Sequence, residues 1–244
     1  MLGLPLAIGG SLLGLFAGTP ASGEGKSGLW LGRLDGIARA AGFGIDTVVL
    51  SGHRYTADSD LYDALSLSES RSLVTFDPAR VRLRLEKLPW VASAEITRVY
   101  PDRLDIRVAE RRPFAVWRRS DGEVLIDAGG RVLSPINRST GLGLPHVTGE
   151  GAASEARALF DLLARYPSIG PRVLESRRVG ARRWSLVLAG GVTVHLPASG
   201  EEAALELLST DPDLARLLGA GNCLIDLRVA GRIGIRQAGP GPDA

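Results

Sequence analysis

The sequence has 244 residues, with 29 basic and 27 acidic side chains and a formal net charge of +2. Hydrophobic residues make up 45% and charged residues 23%, which is a globular rather than a disordered composition. The small basic surplus does not indicate a nucleic-acid-binding protein. Cys223 is the single cysteine in the sequence, so no intrachain disulfide can form, and we expect this residue to be a small buried hydrophobe.

The first 18 residues, MLGLPLAIGGSLLGLFAG, carry no charge. Because about 20 apolar residues span a bilayer, three interpretations are open: a membrane anchor, a signal peptide or a buried helix. The glycines and Pro5 disfavour a helix in a soluble core but are tolerated in a transmembrane helix, and the basic leading region of a signal peptide is missing. We predict a single transmembrane anchor at residues 1–18. Basic flanks normally orient an anchor, and none precedes Leu2; one explanation is that the true start lies upstream of Met1.

Residues 19–42 are predicted to be a linker and a juxtamembrane segment. Residues 19–28, TPASGEGKSG, have the composition of a flexible linker. Residues 29–41, LWLGRLDGIARAA, predict a short amphipathic helix beside the membrane, with Trp30 suited to the interface. Gly25-Lys26-Ser27 resembles the end of a phosphate-binding loop, but Pro20 occupies the position where that pattern requires glycine, so we predict no nucleotide site.

Residues 43–112 predict a domain with the order strand, helix, helix, strand, strand. The first strand is expected at 43–51. Thr56 and Asp77 are predicted to be the N-caps of the two helices, since their side-chain oxygens can accept from free N–H groups of the first turn. Pro78 follows Asp77 at the favoured first helical position.

The last two strands of this domain are predicted at 91–99 and 103–110, joined by a tight turn. In the second strand Leu104, Ile106 and Val108 point one way, and polar or small residues point the other way. That alternation predicts a sheet with one packed face and one solvated face.

Residues 113–237 predict a second domain, a mainly antiparallel β-sheet with helices on one side, and residues 238–244 predict a disordered tail. Glycine-containing turn pairs separate the strand-like runs. The predicted strands are 114–118, 124–127, 131–133, 183–188, 192–196 and 224–229, and the predicted helices are 151–166 and 200–218. The fold class predicted for the chain is therefore α+β.

The sequence shows no pattern typical of catalysis. His53, His146 and His195 do not have metal-ligand spacing on one element, and no second carboxylate is placed to partner Asp226. The arginines of 80–119 interleave with acidic residues, which is typical of a solvated face or of a surface for an acidic partner or lipid headgroups. We predict a protein that is not an enzyme, with no cofactor, metal, nucleic acid or small-molecule substrate.

Several short motifs, in this order, resemble the FtsQ/DivIB family of bacterial cell division proteins. The resemblance covers about residues 43–236 and depends on the order and spacing of the motifs rather than on any one of them. The motifs are VLSG (49–52) with Tyr55 and Thr56, LPWV (88–91), YPDRL (100–104), VAERRP (108–113) with Trp117, DAGGR (127–131), RRWSL (182–186) and LIDLR (224–228).

This resemblance implies a single-pass protein of the inner membrane at the division septum, with a periplasmic POTRA domain at 43–112 followed by a periplasmic β domain at 113–237. It implies an essential-type divisome scaffold that links early and late division proteins. Such a scaffold binds an FtsB/FtsL-like coiled-coil pair by β-strand addition and helps to control septal peptidoglycan synthesis. The alternative is a POTRA-containing secretion or outer-membrane assembly component, which should have several POTRA units or a transmembrane barrel.

The resemblance also implies a partner site at the closing strand. We expect that strand to run from Leu224 to about Arg228, to continue through the segment that follows, and to pair with an incoming chain at its open edge. The expected contact residues are Val229, Ala230, Gly231, Arg232 and Ile233. The opposing interpretation is a frayed end at 229–235.

Three further residues are candidates by resemblance. Arg183 matches an arginine that would pair with an acidic residue of the incoming chain, and the opposing interpretation is a solvated arginine. In the POTRA domain, Ile96 and Arg98 match positions that the family uses for recruitment, and the opposing interpretation is ordinary sheet packing and surface charge.

Overall fold

The computed structural model describes residues 24–136, 143–229 and 231–237, with side chains described from residue 32 onward. The predicted anchor at 1–18, the first part of the predicted linker, Ala230 and the predicted tail at 238–244 lie outside the described residues. In the described part of the chain, no helix combines the length and apolar character that a membrane crossing requires.

The first described element is helix α1 (Glu24–Ala40), which begins within the segment expected to be a linker. Its second half docks on the domain that follows. The Asp35 carboxylate accepts hydrogen bonds from the backbone N–H of Arg71 (3.2 Å) and from the Thr75 hydroxyl (2.6 Å), and Ala38 is buried. The helix expected at 29–41 is therefore present, but it starts earlier and is held against its neighbour.

The next domain has the predicted order of strand, helix, helix, strand, strand. Its elements are β1 (Thr47–Ser51), α2 (Asp58–Leu65), α3 (Pro78–Leu85), β2 (Val91–Val99) and β3 (Arg103–Glu110). The sheet order is β1-β3-β2, with β3 parallel to β1 and antiparallel to β2. The buried faces of both helices and the alternate residues of β3 form one core, which includes Leu61, Leu65, Val81, Leu85, Leu104, Ile106 and Val108.

The two predicted helix caps have different outcomes. Asp77 caps α3, because its carboxylate accepts from the N–H groups of Ala79 (3.0 Å) and Arg80 (3.2 Å). The prediction for Thr56 is wrong: the N-cap of α2 is Ala57, which has no side-chain cap bond. The Thr56 hydroxyl and the Thr56 backbone N–H instead both donate to the Glu110 carboxylate at the end of β3 (2.7 Å each), which holds Thr56 one residue before the cap position.

The second domain is built on a nine-stranded sheet with the order β12-β11-β10-β9-β8-β7-β4-β5-β6. Its strands are β4 (Pro113–Arg119), β5 (Gly122–Asp127), β6 (Val132–Pro135), β7 (His146–Thr148), β8 (Val173–Val179), β9 (Arg183–Leu188), β10 (Val192–His195), β11 (Cys223–Asp226) and β12 (Gly234–Gln237). The β4–β7, β7–β8 and β10–β11 pairs are parallel. The other pairs are antiparallel.

Three helices share one core with this sheet, so they cover the same face. They are α4 (Ala152–Leu163), α5 (Glu201–Thr210) and α6 (Pro212–Ala220). The single helix predicted at 200–218 is thus two helices. Asp211 ends the first and caps the second, accepting from the N–H groups of Asp213 (2.9 Å) and Leu214 (3.1 Å), and Pro212 cannot continue the preceding hydrogen-bond ladder.

A polar junction connects the two domains. Arg111 donates to the carbonyl of Val91 in β2 (3.1 Å) and to the Asp127 carboxylate at the end of β5 (3.0 Å). Arg131, in the hairpin after Asp127, donates to the Lys87 carbonyl beyond the C-terminus of α3 (2.7 Å). The second domain therefore supplies a cation to the carbonyl end of a helix in the first.

An apolar contact lies beside this junction. Trp90 packs against a small buried cluster formed by Val116, Leu125 and Leu133, and its other side is stacked on Tyr55 with ring centroids 4.6 Å apart. Residues from both domains thus bury a common surface.

Candidate partner-binding edge

Strand β12 is the outermost strand at one side of the nine-stranded sheet. Its neighbour is β11, to which it is antiparallel, and among the described residues no strand pairs with its outer edge. Its residues are exposed, with Ile235 at 55%. The edge therefore presents backbone N–H and C=O groups that a further strand can satisfy.

The expected closing strand differs from the observed one. Strand β11 ends at Asp226 and lies between β10 and β12, so it is not an edge. The residues after it reverse the chain: the Arg232 N–H donates to the Val229 carbonyl (3.1 Å), and Gly231 has a φ of +72°, which glycine adopts without strain. Residues 229–233 therefore form a turn beside the open edge rather than the edge itself, with Ala230 outside the described residues.

Arg183 lies at the same end of the sheet as this turn. It begins β9, which is three strands from β12, a distance of about 14 Å at the usual strand spacing. Its side chain is half-buried, and within the described residues it forms no ion pair with a carboxylate. The structure places Arg183 near the turn residues without bringing them into contact.

Two polar pairs lie between Arg183 and the turn, one between strands β9 and β10 and one where the chain leaves β11. The Ser185 hydroxyl and His195 Nδ1 are 2.8 Å apart. Arg228 binds both carboxylate oxygens of Asp226, with Nε–Oδ1 at 2.8 Å and Nη2–Oδ2 at 2.5 Å. Burial and the nearby charge of Arg228 lower the pKa of His195. The hydrogen bonds from Arg228 hold the pKa of Asp226 at about 2. Because both oxygens of Asp226 accept hydrogen bonds from Arg228, the pair fixes the chain as it leaves β11. The low pKa also makes this carboxylate poorly suited to act as a base.

An apolar hollow of about 300 Å³ lies between α5 and the turn. Its lining residues include Pro197, Leu207, Leu227, Val229 and Arg232. Leu207 and Val229 are exposed at 39% and 59%. An apolar side chain on a strand added beside β12 could bury itself here.

The two recruitment candidates both lie on β2. Ile96 is half-buried, pairs with Ile106 on β3 and packs against the domain core. The Arg98 guanidinium donates to the Phe76 carbonyl. Both side chains therefore make contacts within their own domain, and the recruitment role stays a prediction.

Sequence reasoning missed β12 itself. The only signal for it is the alternation of Ile233, Gly234 and Ile235, which is too short to define a strand, and the strand is exposed on both faces. The buried position of Cys223 was expected and is confirmed. Among the described residues no group of His, Cys, Asp or Glu is arranged to hold a metal ion.

Family models match both domains. The model described as POTRA domain, FtsQ-type, matches residues 43–111, and the model described as Cell division protein FtsQ/DivIB, C-terminal, matches residues 115–228. A cell division protein FtsQ from Caulobacter vibrioides is 32% identical over 235 residues, which are 95% of this chain and 78% of that protein. The chain belongs to the FtsQ/DivIB family of cell division proteins.

Other FtsQ proteins are similarly related. That of Bartonella bacilliformis is 34% identical over 193 residues, covering 79% of this chain and 63% of its own length. The FtsQ protein of Rhizobium meliloti is 34% identical over 193 residues, which are 79% of this chain and 62% of that protein. This chain therefore spans less than two thirds of the length of these two relatives. Because the second domain matches the FtsQ/DivIB C-terminal model, membership of this family is favoured over the alternative of a secretion or outer-membrane assembly component.

A solved structure also matches, that of the major extracytoplasmic domain of the cell division protein DivIB from Geobacillus stearothermophilus. It is 18% identical, covers 46% of this chain and 96% of that chain, and has a TM-score of 0.29, too low to support a conclusion about this fold.

Proposed function

We propose that this FtsQ-family chain is a divisome scaffold that binds an FtsB/FtsL-like coiled-coil pair by adding a strand of the partner to β12. In this proposal residues 1–18 anchor the chain in the inner membrane, both domains lie in the periplasm at the septum, and the bound partner transmits control to septal peptidoglycan synthesis. The open outer edge of β12 is the observation that supports the partner site.

Two neighbouring features suit a strand at this edge. Ile235 is exposed, and the apolar hollow beside the turn can take an alternate apolar side chain of the incoming strand. Arg183 and Arg232 supply positive charge at the same end of the sheet, so an acidic residue flanking the partner strand would be favoured there.

Recruitment through the POTRA domain is a second part of the proposal. Ile96 and Arg98 lie on β2, which is an edge strand of the three-stranded sheet. A division protein that pairs with this edge would contact both residues. Because both also support the domain core, a variant at either position needs a folding control before any loss of recruitment is interpreted.

Proline substitutions in β12 test the strand-addition proposal. In an antiparallel strand the N–H groups of adjacent residues point to opposite edges. One of the two variants Ile235→Pro and Arg236→Pro therefore removes a backbone hydrogen bond to β11. The other removes an N–H that points away from β11, toward the open edge. The outward variant should keep its thermal unfolding temperature within a few degrees and lose at least tenfold in affinity, since each ladder bond contributes about 1 kcal/mol and the ring also blocks approach.

The measurement is calorimetric titration of the full chain in detergent with the periplasmic segment of the FtsB homologue from the same organism. The matched control is the alanine variant at the position of the outward-facing proline, Ile235→Ala or Arg236→Ala, because alanine keeps the N–H and should lose less affinity than proline at the same position. If a well-folded outward-facing proline variant binds the partner as tightly as the native chain, β12 is not the partner-binding edge.

A further inference from the structure

A partly open cavity of about 540 Å³ lies along the seam between α1 and the POTRA domain. One wall is α1, where Gly32 and Gly36 leave the space open, since a Cβ at either position would meet nothing within 4 Å. A second cavity of about 320 Å³ adjoins it. Ser68, Arg39 and Arg71 line both cavities.

The seam is held in place by hydrogen bonds. Asp35 in α1 bonds to the Arg71 N–H and the Thr75 hydroxyl, and the Thr75 oxygen lies 2.7 Å from Ser70 Oγ and 2.9 Å from Ser72 Oγ. These bonds tie the helix to the loop that forms the opposite wall. The cavity therefore has fixed sides rather than being a gap between two loosely associated segments.

The wall carries more positive than negative charge. Four arginines line the larger cavity: Arg39, Arg71, Arg80 and Arg84. Three carboxylates lie with them, and each is occupied. Asp35 bonds the loop, Asp77 caps α3, and Glu69 pairs with Arg84 at 3.0 Å and with Arg80 at 3.9 Å.

Arg39 and Arg71 differ from the other two arginines. Within the described part of the chain neither forms an ion pair with a carboxylate. Both are exposed, and both line the two adjoining cavities together with Ser68. The smaller cavity is also lined by Asp46, so two arginines there stand against one carboxylate. Two guanidinium forks and a hydroxyl around one opening are the donors that phosphate oxygens accept from.

We propose that the α1–POTRA seam binds the phosphate group of an anionic phospholipid headgroup through Arg39, Arg71 and Ser68. Helix α1 begins at Glu24, only a few residues after the uncharged segment that ends at Gly18. The choice of a lipid over a soluble phosphate rests on the proposed membrane anchor. Basic pockets next to a membrane segment bind anionic headgroups in this way.

Short-chain lipids distinguish the sources of the phosphate. The full chain in zwitterionic detergent is titrated by calorimetry with dihexanoyl phosphatidylglycerol, dihexanoyl phosphatidylcholine and inorganic phosphate. We expect phosphatidylglycerol to bind at least tenfold more tightly than phosphatidylcholine or inorganic phosphate. Equal affinity for phosphatidylglycerol and inorganic phosphate would assign the site to soluble phosphate and overturn the headgroup assignment.

Two variants test the residues. Arg39→Gln/Arg71→Gln removes both cations and should lower phosphatidylglycerol affinity at least tenfold. Gly36→Leu keeps every charge, adds no backbone strain and fills the cavity, so it should lower the affinity as well. The control is Arg103→Gln/Arg107→Gln, two exposed arginines on β3 outside the cavity. Unchanged affinity in the first two variants, or an equal loss in the control, contradicts the proposal.

The same samples separate this proposal from the partner site. The Arg39→Gln/Arg71→Gln chain should bind the FtsB homologue segment as the native chain does, because β12 lies in the other domain. Loss of lipid preference with normal partner binding would reject the headgroup site alone. Loss of partner binding in the proline variants with normal lipid preference would reject the strand-addition site alone.

Discussion

At the scale of single residues, the Asp226–Arg228 pair controls how the chain leaves β11. Arg228 donates to both oxygens of Asp226 from its guanidinium and to Oδ1 from its backbone N–H (3.0 Å). The pair lies immediately before the turn that leads into β12. Its geometry therefore sets the direction from which the outermost strand joins the sheet.

Asp226→Asn should lower the free energy of unfolding by about 1–2 kcal/mol at pH 7. The shift of the Asp226 pKa from 3.8 to about 2 corresponds to a somewhat larger value at about 1.4 kcal/mol per unit, which solvent around the partly exposed pair reduces. Urea denaturation followed by circular dichroism measures the difference. Asp161→Asn, in the exposed Arg157–Asp161 pair, is the control and should change stability by at most about 0.5 kcal/mol.

The pH dependence of that difference has a definite sign. Because the folded-state pKa of Asp226 lies below its unfolded value of 3.8, the stabilisation is complete above that value and is lost as the pH falls toward about 2. The native chain and Asp226→Asn should therefore converge in stability near pH 2. A difference that persists unchanged from pH 7 to pH 2 would show that the asparagine acts through packing rather than charge.

The two predicted helix caps show what local sequence can decide at this scale. Asp77 was correctly predicted because Asp-Pro has few competing conformations and its partners are only two and three residues away. Thr56 was mispredicted because its partner, Glu110, is distant in the sequence. No local pattern reports a hydrogen bond between residues that only the folded sheet brings together.

At the scale of elements, the junction gives a structural role to motifs that the proposed partner site does not use. Arg111 belongs to the VAERRP motif, Asp127 and Arg131 begin and end the DAGGR motif, and Trp90 belongs to LPWV. Together they connect β2, the end of α3 and the β5–β6 hairpin. The orientation of the POTRA domain relative to the large sheet therefore depends on a few side chains.

Arg131→Gln should loosen this junction without unfolding either domain. The shorter, uncharged side chain cannot reach the carbonyls after α3, so the amides of 86–91 should exchange hydrogen several-fold faster, as expected for the loss of about 1 kcal/mol of local stability. Hydrogen exchange followed by mass spectrometry measures this. Arg119→Gln serves as control, because Arg119 pairs with Asp121 in the β domain and makes no junction contact. Equal protection of 86–91 in both variants would mean that Arg131 does not hold the junction.

Strands in which apolar and polar residues alternate strongly were predicted with correct bounds, and strands with weak alternation were missed. The strands predicted at 91–99 and 103–110 are β2 and β3 with the same bounds, because one face of β3 is buried and the other is polar. Strand β8 was missed because its sequence, VLESRRV, has a mostly polar surface with Ser176 as its one buried residue. Strand β7 was missed because three residues are too few to show a period.

The sequence predicted which segment borders the candidate edge but not the geometry of that segment, and its binding role stays a prediction. The turn at 229–233 was expected to be important, and it does lie beside the open edge. The observed edge is β12, since the chain reverses at Gly231 and adds one more strand. Gly231 has a positive φ in this turn, and because glycine adopts both positive and negative φ, its presence in the sequence does not distinguish a strand from a turn.

At the scale of the whole molecule, the chain has two large cores and a small link. The POTRA core and the β-domain core are separate clusters with no shared residue. Among the residues that the structure describes, the cluster at the junction contains three buried residues, with Trp90 packed against it. With separate cores, the sheet that carries β12 is expected to stay folded even when the POTRA domain is disturbed.

This separation predicts that the two domains unfold independently. Ile106→Ala removes a side chain that is 1% exposed in the POTRA core and should cost about 2–4 kcal/mol there. The amides of β2 and β3 should then lose hydrogen-exchange protection at a lower urea concentration than in the native chain. The amides of β9 and β10 should lose protection at the same urea concentration as in the native chain. Leu186→Ala, in the β-domain core, should give the opposite pattern.

If either variant shifts both sets of amides equally, the junction couples the domains into one cooperative unit. In that case a disturbance at the POTRA end would also reach the β12 edge.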